Sequence, residues 1–214
     1  MNKNQRHHYL KQMGVDIWVP RPCHVQNSQK EENAILHEKL KKEVEACQAC
    51  SLAKTRTHVV FNTGSIDAEW MIIGEAPGFY EDKEAKPFVG RAGQLLDAMI
   101  ASIGQKREEV YVANVLKCRP PENRDPLPEE VSQCTPFLIK QIELIAPKMI
   151  LALGRHAARF LLNTTESISA LRGKQHHWRE TPVLVSYHPA YLLRNPQEKS
   201  KAFVDWLRVK KQLK

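Results

Sequence analysis

The chain has 214 residues, and its 32 Lys and Arg against 24 Asp and Glu leave a net charge of +8. That length holds one domain with a real core plus a short appendage, and 42% hydrophobic with 26% charged residues exclude a disordered chain. No apolar run approaches the ~20 residues of a membrane helix, the polar N-terminus lacks an apolar signal core, and the basic excess points to a polyanion, nucleic acid first. A monomeric cytoplasmic protein is expected.

In chain order, residues 1–33 read as an arm with one structured element at most, because their apolar clusters are short. Residues 34–214 form the main domain. The first 46 residues carry only +2 of the net charge, so +6 belongs to the rest. Ile35, Leu36, Leu40 and Val44 recur at helical spacing and predict a helix over residues 33–46. Strands are expected at 69–74, 110–115, 149–153 and 182–186, each a short apolar run rich in β-branched residues. Helices are expected at 90–103, at 128–146 with Pro128 in the first turn, after Gly154 to residue 162, and over 197–212. This alternation predicts an α/β, three-layer sandwich, with a central, mostly parallel four-stranded sheet and helices on both faces. In such sheets, sites form where loops leave the carboxyl ends of the strands, and Glu75, Asn114 and His188 sit at those ends.

Five cysteines in a chain with no secretory signal suggest metal ligands or free thiols rather than disulfides. Cys47 and Cys50 form a C-x-x-C pair at a helix end, Cys118 follows the second strand, and Cys134 lies sixteen positions later. Four thiolates can complete a tetrahedral zinc site or a cubane iron–sulfur cluster, and spacing alone leaves both open. The competing readings are two buried small residues at Cys118 and Cys134 and a redox dithiol at the pair. Cys23 has no partner spacing and is expected to be a free thiol.

Gly74-Glu75-Ala76-Pro77-Gly78 forces a tight turn after the first strand, and Pro87 through Gly93 leads into a helix with glycines suited to close approach of a ligand. Asn114 is polar within an apolar strand. It is either a satisfied buried amide or a reader of a base edge, since a carboxamide donates and accepts together. Phe88 offers a stacking face, although an isolated Phe is more often core. His188 follows the fourth strand, its turn set by Pro189.

Those stretches carry a resemblance. The turn at 74–78, then Glu81-Asp82, Pro87 through Gly93 and Gln94-Leu95-Leu96-Asp97, resembles the family 4 uracil-DNA glycosylases. So do Asn114-Val115-Leu116-Lys117-Cys118-Arg119-Pro120-Pro121 with Asn123-Arg124, and His188-Pro189-Ala190 through Arg194. The resemblance covers about residues 40–210. It implies a 4Fe–4S cluster on Cys47, Cys50, Cys118 and Cys134. It also implies a monofunctional hydrolase that flips uracil out of DNA and cuts its glycosidic bond, leaving an abasic site for base-excision repair. The rival to the enzyme reading is an inactive iron–sulfur module that binds nucleic acid.

On that resemblance Phe88 stacks on the flipped base and Asn114 reads its edge. The turn at Ala76 and Gly78 holds the backbone close, and His188 bonds uracil O2 as negative charge develops. Ala76 stands where the best-known family of the superfamily carries Asp, so a neighbouring carboxylate must handle water: Glu75 first, Asp82 second. Leu192 is the expected wedge into the vacated stack. Arg91 and Arg194 are expected on phosphates, with Arg119 and Arg124 facing the backbone. In the arm, residues 9–21 resemble the N-terminal peptide of the psi subunit of bacterial DNA polymerase III, which implies docking of residues 1–25 on clamp-loader components.

Overall fold

The computed structural model describes residues 3–15 and 24–213. Contacts divide the chain into Met1–Glu32 and Asn33–Lys214. The arm holds α1, Lys3–Gln12, and the start of α2, His24–Glu45. The arm thus has two helical stretches rather than one at most. α2 begins well before residue 33, where Gln, Lys and Glu, all good helix formers, dominate. Cys23 lies outside the described residues, as does part of the 9–21 peptide. Among the described residues no helix is long and apolar enough to cross a membrane.

In the main unit β1, Trp70–Gly74, is buried along its whole length. Two helices follow: α3, Phe79–Glu84, a short turn of helix that ends at Ala85 with φ +55°, and α4, Gly90–Ser102. β2, Tyr111–Asn114, comes next, then α5, Pro128–Ile145, with Pro128 in its first turn as expected. β3, Met149–Leu153, leads through Gly154 into α6, Arg155–Leu162, and the single turn α7, Ile168–Leu171. A hairpin of β4, His176–Trp178, and β5, Thr181–Ser186, precedes α8, Pro189–Arg194, and the closing helix α9, Lys199–Gln212.

The sheet order is β2-β1-β3-β5-β4. β2, β1, β3 and β5 are parallel, and β4 runs antiparallel to β5 at the edge. The sheet therefore has five strands rather than the expected four. The extra strand is His-His-Trp, which offers no apolar alternation to read. It exists because Arg179, at φ +53°, turns the chain back onto β5.

Alternate residues of each central strand face opposite layers. Met71, Ile73, Ala113, Ile150 and Ala152 pack with residues of α5 and α6 on one side. Trp70, Ile72, Val112, Leu151 and Leu184 pack with residues of α4 and α9 on the other. Burial on both faces is why the strands read as continuous apolar runs rather than alternating ones.

Candidate active site

From β1 the chain crosses to β2 on one side and later to β3 on the other, so the order reverses beside β1. Crevices at such a reversal, beyond the carboxyl ends of the strands, are where ligands bind in open α/β sheets. Register pairs Gly74 with Asn114, so β1 and β2 end level. A groove of about 790 Å³ opens there, with Glu75, Gly78, Glu81, His188, Tyr191 and Arg194 among its walls.

Missing side chains bring the pieces together. A Cβ on Gly74 would fall 2.3 Å from Asn114 Oδ1 and 2.6 Å from Phe88 Cζ. Only glycine lets the amide and the ring close on the end of β1. A Cβ on Gly93 would fall 1.9 Å from the carbonyl oxygen of Phe88. Phe88 itself sits at φ +55°, a costly backbone for a non-glycine residue. Its ring stacks on His188 with centroids 5.3 Å apart and planes at 28°. Phe88 (4% exposed) and Asn114 (1%) therefore lie one contact behind the groove wall, touching His188 and Glu81.

His188 caps α8: its Nδ1 accepts from the Ala190 N–H at 3.2 Å. That bond leaves the proton of the neutral ring on Nε2. Burial, with Arg194 nearby, pushes its pKa down to about 4, so the ring is neutral at ordinary pH. Glu75 moves the other way. Burial first, then the charge of Asp125, raises it to about 7, against a smaller lowering effect of Arg155. Its Oε1 lies 3.6 Å from His156 Nε2, which in turn accepts from Arg155 Nε at 3.0 Å. Arg155 also pairs with Asp125.

Asp82 does not reach the groove. Its carboxylate accepts from the backbone N–H of Thr57 at 2.9 and 3.0 Å and of His58 at 3.2 Å, so it pins the segment behind α3. Its neighbour Glu81 takes the place at the wall. Glu81 Oε2 accepts from Asn114 Nδ2 and from the Gly78 N–H, both at 3.4 Å. Burial raises Glu81 to about 7, against hydrogen bonds from the Gly78 and Phe88 amides and from Asn114.

Leu192 is not an exposed wedge either. It is 1% exposed and packs with Tyr187 and Ala202, while Tyr191 beside it is 37% exposed and lines the groove. Arg91 and Arg194 are exposed, Arg194 on the groove wall. Arg124 is engaged by the buried Glu130 carboxylate through two bonds of 2.9 and 2.6 Å. Arg119 donates to Asn123 Oδ1 at 2.7 Å and lies over the Phe79 ring.

Cys47, Cys50, Cys118 and Cys134 are all free and line one recess. Arg56 donates to Cys118 Sγ at 3.0 Å, and the Lys117 N–H to Cys134 Sγ at 3.3 Å. Lys117 is fully buried, and its ammonium bonds the Asn114 carbonyl at 2.6 Å. A buried ammonium bonded to a neutral carbonyl suits a negatively charged neighbour, which four thiolates would supply. A single tetrahedral ion with bonds of about 2.3 Å would hold its thiolates about 3.8 Å apart. Among the described residues the group of three or more ligand atoms within 4.8 Å of one another is Glu75, Asp125 and His156, and the cysteine sulfurs form no such group.

Groove residues not singled out from sequence for the site include Glu81, Asn123, Asp125 and Tyr191. Glu81 reads as ordinary loop charge, and the others lie in loops or short helices with no periodicity to mark them. The one usable signal was Glu81 standing three residues after Gly78, the spacing at which a side chain reaches back to a helix start.

Comparison with known proteins gives the family. The family model described as Uracil DNA glycosylase superfamily matches residues 61–208. The chain is 48% identical over 164 residues to a type-4 uracil-DNA glycosylase of Archaeoglobus fulgidus, covering 73% of this chain and 82% of that one. It is 46% identical to the type-4 enzyme of Sulfurisphaera tokodaii over 74% and 76% of the two chains. The type-4 enzyme of Thermotoga maritima is likewise 46% identical, over 75% of this chain and 84% of its own. With its motifs converging at the strand ends and its match running through the whole sheet, the chain belongs to the uracil DNA glycosylase superfamily, among the type-4 uracil-DNA glycosylases.

Proposed function

We propose that this protein hydrolyses the bond between uracil N1 and deoxyribose C1′ in DNA, with His188, Asn114, Phe88 and Glu75 as the working side chains. The observation that carries the reading is the His188 tautomer. With Nδ1 committed to the Ala190 N–H, the Nε2–H is free to donate to uracil O2. Charge gathers on O2 as the glycosidic bond breaks, so a fixed donor there binds the transition state better than the substrate. The depressed pKa keeps the ring neutral, so it stabilises the anion as a hydrogen-bond donor, not as a cation.

Reaching that bond requires the nucleotide to leave the stack, at a cost of a few kcal/mol. Phe88, now stacked on His188 behind the groove wall, would supply the face on which the flipped base rests once the base enters. Asn114 accepts from N3–H and donates to O4. The turn at Ala76 and Gly78 brings backbone close to the base. Glu75, at a pKa of about 7, is an effective base for orienting and deprotonating water near neutral pH, and its charge stabilises the cation-like sugar. Arg91 and Arg194 hold flanking phosphates, and Tyr191 is the exposed ring available beside the groove.

Cys47, Cys50, Cys118 and Cys134 would hold a 4Fe–4S cluster. When bound, that group would supply a tie among the segment after α2, the exit of β2 and α5, and Arg56 and Lys117 would offset its charge.

The test is incubation with a uracil-containing oligonucleotide followed by alkali. Cleavage at the uracil position is expected, and it falls by at least 10²-fold in His188→Ala. Equal product from the two proteins would refute the role of His188.

A further inference from the structure

We propose that Glu81 is a specificity-determining positioning residue: by accepting from Asn114 Nδ2 it holds the Asn114 carboxamide in the orientation that matches uracil and opposes cytosine. The inference rests on the reading of Asn114 as the residue that meets the base edge.

A carboxamide has nearly the same shape after a half-turn about Cβ–Cγ, and that turn exchanges its donor and acceptor. Uracil presents an N3–H donor beside the O4 acceptor. Cytosine presents an N3 acceptor beside an amino donor. A free carboxamide would serve either base by turning over, so shape alone does not separate them. Above about pH 7, where Glu81 is ionised, its carboxylate accepts only. With Glu81 Oε2 at 3.4 Å, the NH₂ side of Asn114 must face it. One N–H is then spent on Glu81, the other donates to O4, and Oδ1 accepts from N3–H. The turned-over amide would set Oδ1 against a carboxylate oxygen and leave both without a proton. Cytosine would meet unpaired polar groups, the most effective source of discrimination a pocket has.

Two further features fit this role. Glu81 is held independently of Asn114 by the Gly78 and Phe88 amide N–H groups, with the Arg107 guanidinium as the nearby positive charge. Arg107 is itself fixed by Pro87 O, Thr63 Oγ1 and Asp97. The Asn114 backbone, in turn, is anchored by Lys117 Nζ on its carbonyl. A change at Glu81 therefore releases the amide torsion and leaves the strand end in place. The same carboxylate also touches the turn and the stacking residue, so it sets three parts of the pocket at once.

The test compares binding, at about pH 8.5 where Glu81 is ionised, of two oligonucleotides that resist cleavage, carrying 2′-fluoro-2′-deoxyuridine or 2′-fluoro-2′-deoxycytidine, by fluorescence anisotropy. The proteins are the full chain, Glu81→Gln and Asn114→Ala. Glutamine nearly matches glutamate in size and can donate or accept, so it permits both amide orientations. Burial raises the Glu81 pKa to about 7, so the fold accommodates a neutral side chain there. The uracil-to-cytosine affinity ratio is expected to fall at least fivefold in Glu81→Gln, with tighter cytosine binding, and to vanish in Asn114→Ala. An unchanged ratio in Glu81→Gln with a lost ratio in Asn114→Ala overturns the proposal and leaves Asn114 as the reader. Equal weakening of both ligands in Glu81→Gln overturns it as well, since that marks a merely structural role. A ratio that survives Asn114→Ala overturns the proposal and the reading beneath it.

Discussion

Glu75 and His188 line one groove and are tuned in opposite directions by the same cause. Burial disfavours charge, so it raises the carboxyl to about 7 and lowers the imidazole to about 4. Between those values His188 stays neutral, while the Glu75 carboxylate appears as pH rises through about 7. Expected for kcat/KM is therefore a rise of about tenfold per pH unit below 7 and a plateau above it. Glu75→Gln should abolish the rise and lower the plateau by roughly 10²-fold. The same shift fixes the sign of a stability effect. A carboxyl whose folded pKa is raised contributes stability that is complete below its unfolded value near 4.5 and lost as pH rises through about 7. The Glu75 side chain is 30% exposed, which screens the effect. Urea unfolding of Glu75→Gln should thus match the parent at pH 4 and exceed it by about 1–2 kcal/mol at pH 8.

At the level of elements, short turns between strand and helix do most of the positioning. Gly93 lies in the first turn of α4, yet what it controls is Phe88, whose carbonyl a Cβ would strike. The struck atoms are backbone and cannot swing aside. Gly93→Ala should therefore displace Phe88 from His188, raise KM at least tenfold, and destabilise the fold by about 1–3 kcal/mol. Steady-state kinetics beside thermal unfolding separates the two effects. The parallel strands and the long helices were legible because their periodicity is strong. α3 and β4 were not: a six-residue helix and a three-residue edge strand are too short to show a period, and both depend on what they pack against. Among the site residues, Glu75, Asn114 and His188 were legible because each is a polar residue at the end of an apolar run.

Across the whole molecule, the charge of +8 resolves into cations of different kinds. Arg91 and Arg194 are exposed, whereas Arg124 is spent on Glu130 and Arg119 on Asn123. Each phosphate contact adds about 0.9 to the slope of log affinity against log salt. Arg91→Ala and Arg194→Ala should each flatten that slope by about 1 between 50 and 200 mM salt, measured by anisotropy on duplex DNA. Arg124→Ala should leave the slope unchanged. The four cysteines line one recess although they come from segments 71 to 87 positions apart in the chain, counted from Cys47 to Cys118 and Cys134. Cys118→Ser is expected to remove an absorbance band near about 400 nm and to lower the melting temperature together. A colourless parent protein would overturn the iron–sulfur assignment.

The amino-acid sequence by itself determined the fold class, the order of the main elements, the four-cysteine set and the polar residues at the strand ends. Each of these is a local pattern: a period, a spacing, or a polar residue closing an apolar run. Only the tertiary structure decided which of two neighbours serves the site. Glu81 and Asp82 are adjacent, as are Tyr191 and Leu192, and adjacent helical residues point about 100° apart. Which one meets the groove depends on how the short helix is turned against the sheet. That angle is set by distant contacts, such as the Asp82 bonds to Thr57 and His58 and the packing of Leu192 on Tyr187 and Ala202. Beyond the three-residue spacing from Gly78 to Glu81, the sequence around each pair carries no record of it.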